Sequence, residues 1–297
     1  MGPGSTSTSE KAGPAAPAAS PPPGPATRRP GMAGSVLQRL PKGEIRNVIA
    51  VGSGKGGVGK SAVTALLACE LARQGLKVGI LDADVTGPSV PKLLGLSGHL
   101  KDRGEGVEPA VSSNGIRAVS SQFLVEDEET PVIWRGPLVT RLIVQFFGGV
   151  NWGELDYLFL DMPPGTSDVP LTVFQTVPID GMVFVTTPQE LAGLIVKKAV
   201  NMARELHVPL LGLVENMATV ECPHCHETIR PYGPSRGEEL ANSFDLPFLG
   251  SLPIDPKISL LGDQGKIAEY TSPLVAEAAR AFQKSLEESR TRSLTVL

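Results

Sequence analysis

Short apolar runs recur at positions 48–51, 78–81, 157–160, 182–185, 210–214 and 248–252, each apolar at successive rather than alternate positions. Runs of that kind suit strands buried on both faces, as in a parallel sheet. Between them the period changes. Val63, Leu66, Leu67 and Leu71 mark one face of a helix that stops at Gly75, a residue free to take the positive φ of a helix end. Apolar spacing predicts further helices over 88–94, 138–147, 168–177, 190–206 and 235–244. A last helix opens at Ser272-Pro273, a capping residue followed by a proline in the first turn, and places Val275, Ala278, Phe282 and Leu286 on its buried side. Repeated strand–helix–strand units predict one α/β domain, a mostly parallel sheet flanked by helices on both faces. Ligands of such sheets sit at the carboxyl ends of the strands.

Residues 1–40 break the pattern. They are mostly Ser, Thr, Ala, Pro and Gly, with Pro21-Pro22-Pro23 and few large apolar side chains, and bury too little to repay ordering. They are expected to form a disordered tail, leaving 41–297 as the domain. The 297-residue chain carries a net charge of −4, which argues against nucleic acid as a partner. No apolar run is long enough to cross a membrane, so no membrane partner is expected either. The 3 cysteines are too few for a secreted disulfide framework and suit a reducing, cytoplasmic setting.

After the first strand comes Gly54-Lys55-Gly56-Gly57-Val58-Gly59-Lys60-Ser61, then Ala62. The fixed positions match the phosphate loop G-x-x-x-x-G-K-[ST], in the strand–loop–helix setting that gives the pattern meaning. Glycines let backbone N–H groups close on a triphosphate at a helix N-terminus. Lys60 supplies charge for the β- and γ-phosphates, and the Ser61 hydroxyl can ligate Mg2+. The chain therefore reads as a P-loop NTPase. Asp161 ends the apolar run at 157–160 and precedes Met162-Pro163-Pro164-Gly165-Thr166, as expected of a carboxylate that holds magnesium beside a switch loop. Asp82-Ala83-Asp84 ends the run at 78–81 and Glu215-Asn216-Met217 the run at 210–214.

Shortly after Asn216 comes Cys222-Pro223-His224-Cys225-His226. Two thiolates at this spacing can address one metal, and either zinc or an iron–sulfur cluster fits. Cys69 lies in the helix after the loop and reads as core. A four-thiolate set then needs two chains about a two-fold axis, whereas a zinc site could be completed within one chain by His224 or His226.

The second loop lysine, Lys55, resembles that of the MinD, ParA and nitrogenase iron protein group. Together with Asp82-Ala83-Asp84-Val85-Thr86-Gly87-Pro88-Ser89, Trp134-Arg135-Gly136-Pro137, Thr187-Pro188-Gln189, Asn216-Met217 and Cys222-Pro223-His224-Cys225, the chain resembles the Mrp/ApbC iron–sulfur carrier ATPases over about 45–281. The resemblance implies an ATPase in which Lys55 and Lys60 serve catalysis, Lys55 by reaching a partner's nucleotide, while Asp84 positions the attacking water. It implies that Asn216 reads adenine. It further implies a homodimer bridged by a 4Fe-4S cluster on Cys222 and Cys225, serving apoprotein clients. Turnover is expected to be slow, because positioning groups are completed by a partner or client. Ala62 departs from the threonine usual there, which bears on nucleotide affinity. The rival reading, a nucleotide-switched regulator of membrane or DNA, calls for a basic amphipathic end. Residues 286–297 offer only Arg290 and Arg292 against Glu287 and Glu288.

Overall fold

The computed structural model describes residues 1–2, 39–102, 104, 106–124, 136–165 and 168–295. The expected tail therefore lies almost wholly outside the described residues, as do Trp134, Arg135 and Thr166. Leu37–Leu297 form one compact unit.

The elements, in order, are β1 (Ile45–Ser53), α1 (Lys60–Arg73), β2 (Val78–Asp82), α2 (Val90–Leu94), β3 (Lys101–Asp102), β4 (Val107–Glu108), β5 (Ala110–Val111) and β6 (Arg117–Ser120). After a 3-10 turn at Ser121–Leu124 come α3 (Gly136–Gly149), β7 (Leu155–Asp161), α4 (Asp168–Thr176), β8 (Gly181–Thr186), α5 (Glu190–Glu205) and β9 (Leu210–Glu215). The chain continues through β10 (Val220–Glu221), β11 (Thr228–Ile229), α6 (Gly237–Ser243), β12 (Phe248–Ser251) and α7 (Pro256–Asp263), and closes with α8 (Pro273–Thr295). Eight strands form one sheet in the order β12-β9-β8-β1-β7-β2-β6-β5, parallel except for β5 on β6.

Alternation along β1 divides the core. Ile49 and Val51 meet α1 and α8 through Val63, Leu66, Phe282 and Leu286. Val48 and Ala50 belong with Ile143 and Phe146 of α3, Val173 of α4 and Val200 of α5 on the other face. Successive side chains of a strand point to opposite faces, so each central strand must be apolar throughout, which is the pattern read from the sequence. The apolar face of α8 is spent on its own sheet: Val275, Ala278, Phe282 and Leu286 are all buried.

All six expected strands form; three extend past their apolar runs at both ends, two at one end, and β12 stops one residue short. Helix 88–94 starts only at Val90, because the backbone N–H groups of Ser89 and Val90 are held by the Asp82 carboxylate at 3.1 and 3.2 Å. Helix 235–244 is trimmed to Gly237–Ser243, since Ser235 and Arg236 are engaged by Glu215. Strands β5 and β6 and helix α7 were not foreseen. In register, Val51 of β1 and Asp82 of β2 both flank Asp161 of β7. Two carboxylates thus end adjacent strands at the carboxyl edge, next to the start of α1.

Candidate functional site

The loop between β1 and α1 is fixed from both ends. Ser53 Oγ donates to the Lys55 carbonyl at 2.9 Å, and Asn216 Nδ2 donates to the Val58 carbonyl at 2.9 Å. Gly57 and Gly59 have φ of 77° and 78°, a region costly for any residue with a Cβ. At Gly59 space is also lacking, since a Cβ would lie 2.3 Å from Asn216 Nδ2. Gly59 is the N-cap of α1 and has no side chain to satisfy the first N–H groups of that helix. A phosphate supplies what the cap lacks.

Asp161, fully buried at the end of β7, gathers the loop's polar side chains. Lys60 Nζ is 2.8 Å from its Oδ1, and Thr64 Oγ1 donates to the same oxygen at 2.9 Å and to the Lys60 carbonyl at 3.0 Å. Ser61 Oγ donates to Oδ2. A hydroxyl and a carboxylate oxygen in contact are the hard donor pair that Mg2+ takes beside nucleotide phosphates, so these residues fit that ion. Breaking a buried pair such as Lys60–Asp161 from one side costs about 3–5 kcal/mol, because the other charge is stranded.

Asp82 is the second buried carboxylate. It accepts from Ser120 Oγ at 3.3 Å as well as from the N–H groups of Asp84, Ser89 and Val90. Its carboxyl is pushed up to about 7, first by burial and then by the Asp161 charge, with Lys60 opposing. Asp84 sits half-buried just beyond β2 and accepts from Thr86 Oγ1 at 2.9 Å. Lys55 Nζ donates to Gln189 Oε1 of the same chain at 2.7 Å. Ala62 is half-buried in the first turn of α1 and brings no hydroxyl to the site.

Asn216 leads directly to the cysteines. From β9 the chain passes Met217, at φ 61°, into the β10–β11 hairpin, whose tip carries Cys222 and Cys225. The hairpin closes through Cys222 N–H to the Glu227 carbonyl at 2.9 Å and His226 N–H to the Cys222 carbonyl at 3.0 Å. Cys222 is half-buried and Cys225 exposed. The Cys222 thiol is held below its ordinary value, first by the Cys225 N–H, then by the His224 N–H, then by the Cys225 side chain. Backbone N–H groups aimed at a sulfur favour thiolate, the form that binds metal. Among the described residues of one chain, no three His, Cys, Asp or Glu side chains are grouped to hold a metal. Among the described residues, His224 and His226 are not grouped with the two thiols as a within-chain zinc site would need. His226 instead turns to Glu221, Nδ1 to Oε1 at 2.6 Å.

These observations place a phosphate loop and a buried magnesium-type aspartate at one edge of the main sheet, and a thiol-bearing hairpin shortly after its strand β9. The ParA family, described as NUBPL iron-transfer P-loop NTPase, matches residues 44–288. The chain belongs to this family. An iron-sulfur cluster carrier protein of Clostridium perfringens is 48% identical over 238 residues, covering 77% of this chain and 84% of that protein. A protein of Dictyostelium discoideum named as a cytosolic Fe-S cluster assembly factor NUBP2 homolog is 40% identical over 247 residues, covering 80% and 93%. Among solved structures, a nucleotide-binding protein of Archaeoglobus fulgidus in complex with ADP superposes with a TM-score of 0.70 at 47% identity, covering 78% of this chain and 91% of that one.

Within this iron-transfer NTPase the structure brings together Lys60, Ser61 and Asp161, and ties Asn216 to the loop. It places Cys222 and Cys225 on a separate hairpin. Thr64 escaped the sequence reading, and the contacts of Gln189 and Glu215, both within quoted motifs, were not foreseen. Thr64 lies four residues after Lys60, one helical turn on, and that spacing was the available signal. Gln189 holds Lys55, a contact that its place in the Thr187-Pro188-Gln189 motif does not announce. Glu215, fully buried, accepts from Ser235 Oγ, Ser251 Oγ and Arg236 N–H and so anchors the chain that returns from the hairpin.

Proposed function

We propose that this iron-transfer NTPase binds and slowly hydrolyses ATP, and that its nucleotide state governs an iron–sulfur cluster carried to apoprotein clients. The observation that carries the reading is the Asn216–Val58 hydrogen bond, because Asn216 lies between the nucleotide loop and the cysteine hairpin. Movement of Val58 around phosphate is felt at Asn216, and six positions later the same strand of chain delivers Cys222.

The chemistry follows from the residues. The N–H groups at the start of α1 and the Lys60 ammonium bind the β- and γ-phosphates, for which Lys60 leaves Asp161. Mg2+, held by Ser61 and Asp161, would neutralise charge on those phosphates. Asp84 orients water, whose oxygen bonds to the γ-phosphorus as the bridging oxygen to the β-phosphate departs. Lys55 exchanges Gln189 for a phosphate of a partner's nucleotide, and Asn216 offers its remaining carboxamide oxygen to the base edge. The cargo is a 4Fe-4S cluster shared between Cys222 and Cys225 of two chains, four thiolates in all. The donor set fits: a half-buried and an exposed thiol per chain, one already favoured as thiolate, with no third ligand grouped beside them among the described residues. Among the described residues no helix is long and apolar enough to cross a membrane, and a cytoplasmic setting is proposed.

Anaerobic reconstitution of the wild type and of Cys222→Ala/Cys225→Ala, with iron, sulfide and zinc assays and native mass, tests this. The expected result is a loaded dimer in the wild type and none in the variant. Zinc without sulfide in the wild type, or equal loading of both proteins, would contradict it.

A further inference from the structure

We propose that Gly95 and Gly265 are positioning residues for the response to the γ-phosphate: their backbone contact makes α2 and α7 one body, so that the Asp84 loop and the root of the cysteine hairpin shift together. The inference rests on the nucleotide-control reading above and adds a route to the hairpin separate from Asn216.

Gly95 follows α2 at φ 67° and Gly265 follows α7 at φ 69°. The Leu96 N–H bonds the Pro91 carbonyl at 2.9 Å, and the Lys266 N–H bonds the Leu261 carbonyl at 2.7 Å. Helix ends closed in this way favour glycine on conformational grounds alone. Gly75 ends α1 likewise, at φ 84°, with nothing within 4 Å of a Cβ placed there. Gly95 and Gly265 differ in that each occupies the other's space. A Cβ on Gly95 would lie 2.5 Å from the Gly265 carbonyl oxygen, and one on Gly265 would lie 2.4 Å from the Gly95 Cα. Both obstacles are backbone, which no rotamer change can move aside. Carbon atoms settle about 3.5–4.0 Å apart, so a methyl on Gly265 would part the two helix ends by about 1 Å. Nearby, Gly262 is buried against Leu93, whose Cδ2 would be 2.9 Å from a Cβ on Gly262. The Lys92–Asp263 pair spans the same contact at 2.8 Å, but both side chains are exposed and the pair adds little.

The other ends of the two helices face the two chemistries. Helix α2 begins just after the Asp84 loop, where the Asp82 carboxyl holds the N–H groups of Ser89 and Val90. Helix α7 begins at Asp255, which caps it through the Lys257 N–H and accepts from Tyr270 Oη at 3.0 Å. Directly before that cap, the Ile254 N–H bonds the Thr219 carbonyl at 2.6 Å, and Thr219 leads into β10. The γ-phosphate is what ATP has and ADP lacks, and Asp84 is the residue assigned to its water. A shift of the Asp84 loop moves α2, and α2 carries α7 because touching backbones leave no side chain between them to give way. Helix α7 then draws on Thr219, at the root of the hairpin.

The test follows iodoacetamide labelling of the hairpin thiols in reduced, cluster-free protein saturated with MgADP or with MgATP, together with ATP turnover. It compares wild type, Gly265→Ala, Gly262→Ala and Gly75→Ala, with ADP affinity and urea midpoints as the control for folding. Wild-type labelling rates are expected to differ by about fivefold or more between the two nucleotides. Gly265→Ala is expected to bring the two rates together. It should also lower turnover by about tenfold or more at unchanged ADP affinity, because a displaced Asp84 no longer meets its water. Gly262→Ala adds bulk without the positive φ and is expected to fall between. Gly75→Ala carries the same kind of backbone strain at the same kind of helix end and is expected to keep the wild-type difference. If Gly265→Ala keeps the difference, or if Gly75→Ala loses it equally, the contact transmits nothing and the proposal falls, while nucleotide control stands. Should Gly265→Ala not fold, Gly262→Ala decides, and an undiminished difference in it overturns the proposal. Equal wild-type rates with ADP and ATP would overturn nucleotide control itself and the joint with it.

Discussion

Asp82 and Asp161 end neighbouring strands with one ammonium, that of Lys60, between loop and sheet. Burial first, and then the Asp161 charge, raise the Asp82 carboxyl to about 7. A carboxyl whose folded value exceeds its unfolded one binds more protons in the native state. Its stabilising contribution is therefore full below about pH 4 and is lost as pH rises through about 7. Asp82→Asn should flatten that loss: urea midpoints measured between about pH 5 and pH 8 fall more steeply in the wild type than in the variant. Parallel slopes would contradict the assignment. Gly59 makes a steric counterpart. Gly59→Ala must place a Cβ at φ 78° and against Asn216, so a stability loss of at least about 1–3 kcal/mol and loss of ADP binding are expected by denaturation and calorimetry. The thiols separate by environment too. Cys222 is shifted toward thiolate while burial pushes Cys69 up to about 11, so iodoacetamide at neutral pH should label Cys222 ahead of Cys69, read by peptide mass. Labelling of Cys69 first would show that the core is open.

At the scale of elements, α8 is the helix whose packing closes one face of the sheet. Phe282 is fully buried, with its ring centroid 5.8 Å from those of both Tyr157 and Phe159. Phe282→Ala should cost about 3–5 kcal/mol in equilibrium unfolding, and a cost under about 1 kcal/mol would mean the site collapses around the gap. Legibility in the sequence follows from how an element earns its place. The six core strands and the long helices were readable because burial on both faces, or on one helical stripe, writes an apolar period into the chain. Strand β6, Arg117–Ser120, has polar residues at both ends and only Ala118 and Val119 between, and β5 is only Ala110–Val111, so neither writes an apolar run into the chain. Helix α7 was missed although Asp255-Pro256 is a cap followed by proline, and Asp255 does accept from the Lys257 N–H at 2.9 Å. In the site, the phosphate loop and Asp161 were legible because their chemistry fixes residue types at fixed spacings. Gln189 and Glu215 act through contacts between segments distant in sequence, and no local pattern records such contacts.

Over the whole molecule, the nucleotide chemistry at the edge of the main sheet and the thiols on the β10–β11 hairpin are joined by a short piece of chain. The loop holds Asn216 at Val58, while Ala218 N–H bonds the Leu252 carbonyl at 2.9 Å and Ile254 N–H the Thr219 carbonyl at 2.6 Å. The path from nucleotide loop to hairpin is thereby also fastened to the segment after β12. A ligand can shift cluster retention only by the difference in its affinity for the two arrangements, commonly 1–3 kcal/mol, or about 5–150-fold. The most direct measurement is the rate of cluster transfer from loaded protein to an apoprotein acceptor with ATP, with ADP and without nucleotide, for the wild type and Asn216→Ala. The expected result is that ATP changes the wild-type rate by about fivefold or more and that Asn216→Ala loses most of this difference even when each protein is saturated with nucleotide, its affinity being measured separately. Equal wild-type rates in all three conditions would contradict nucleotide control, and an undiminished effect in Asn216→Ala would contradict the route through Asn216.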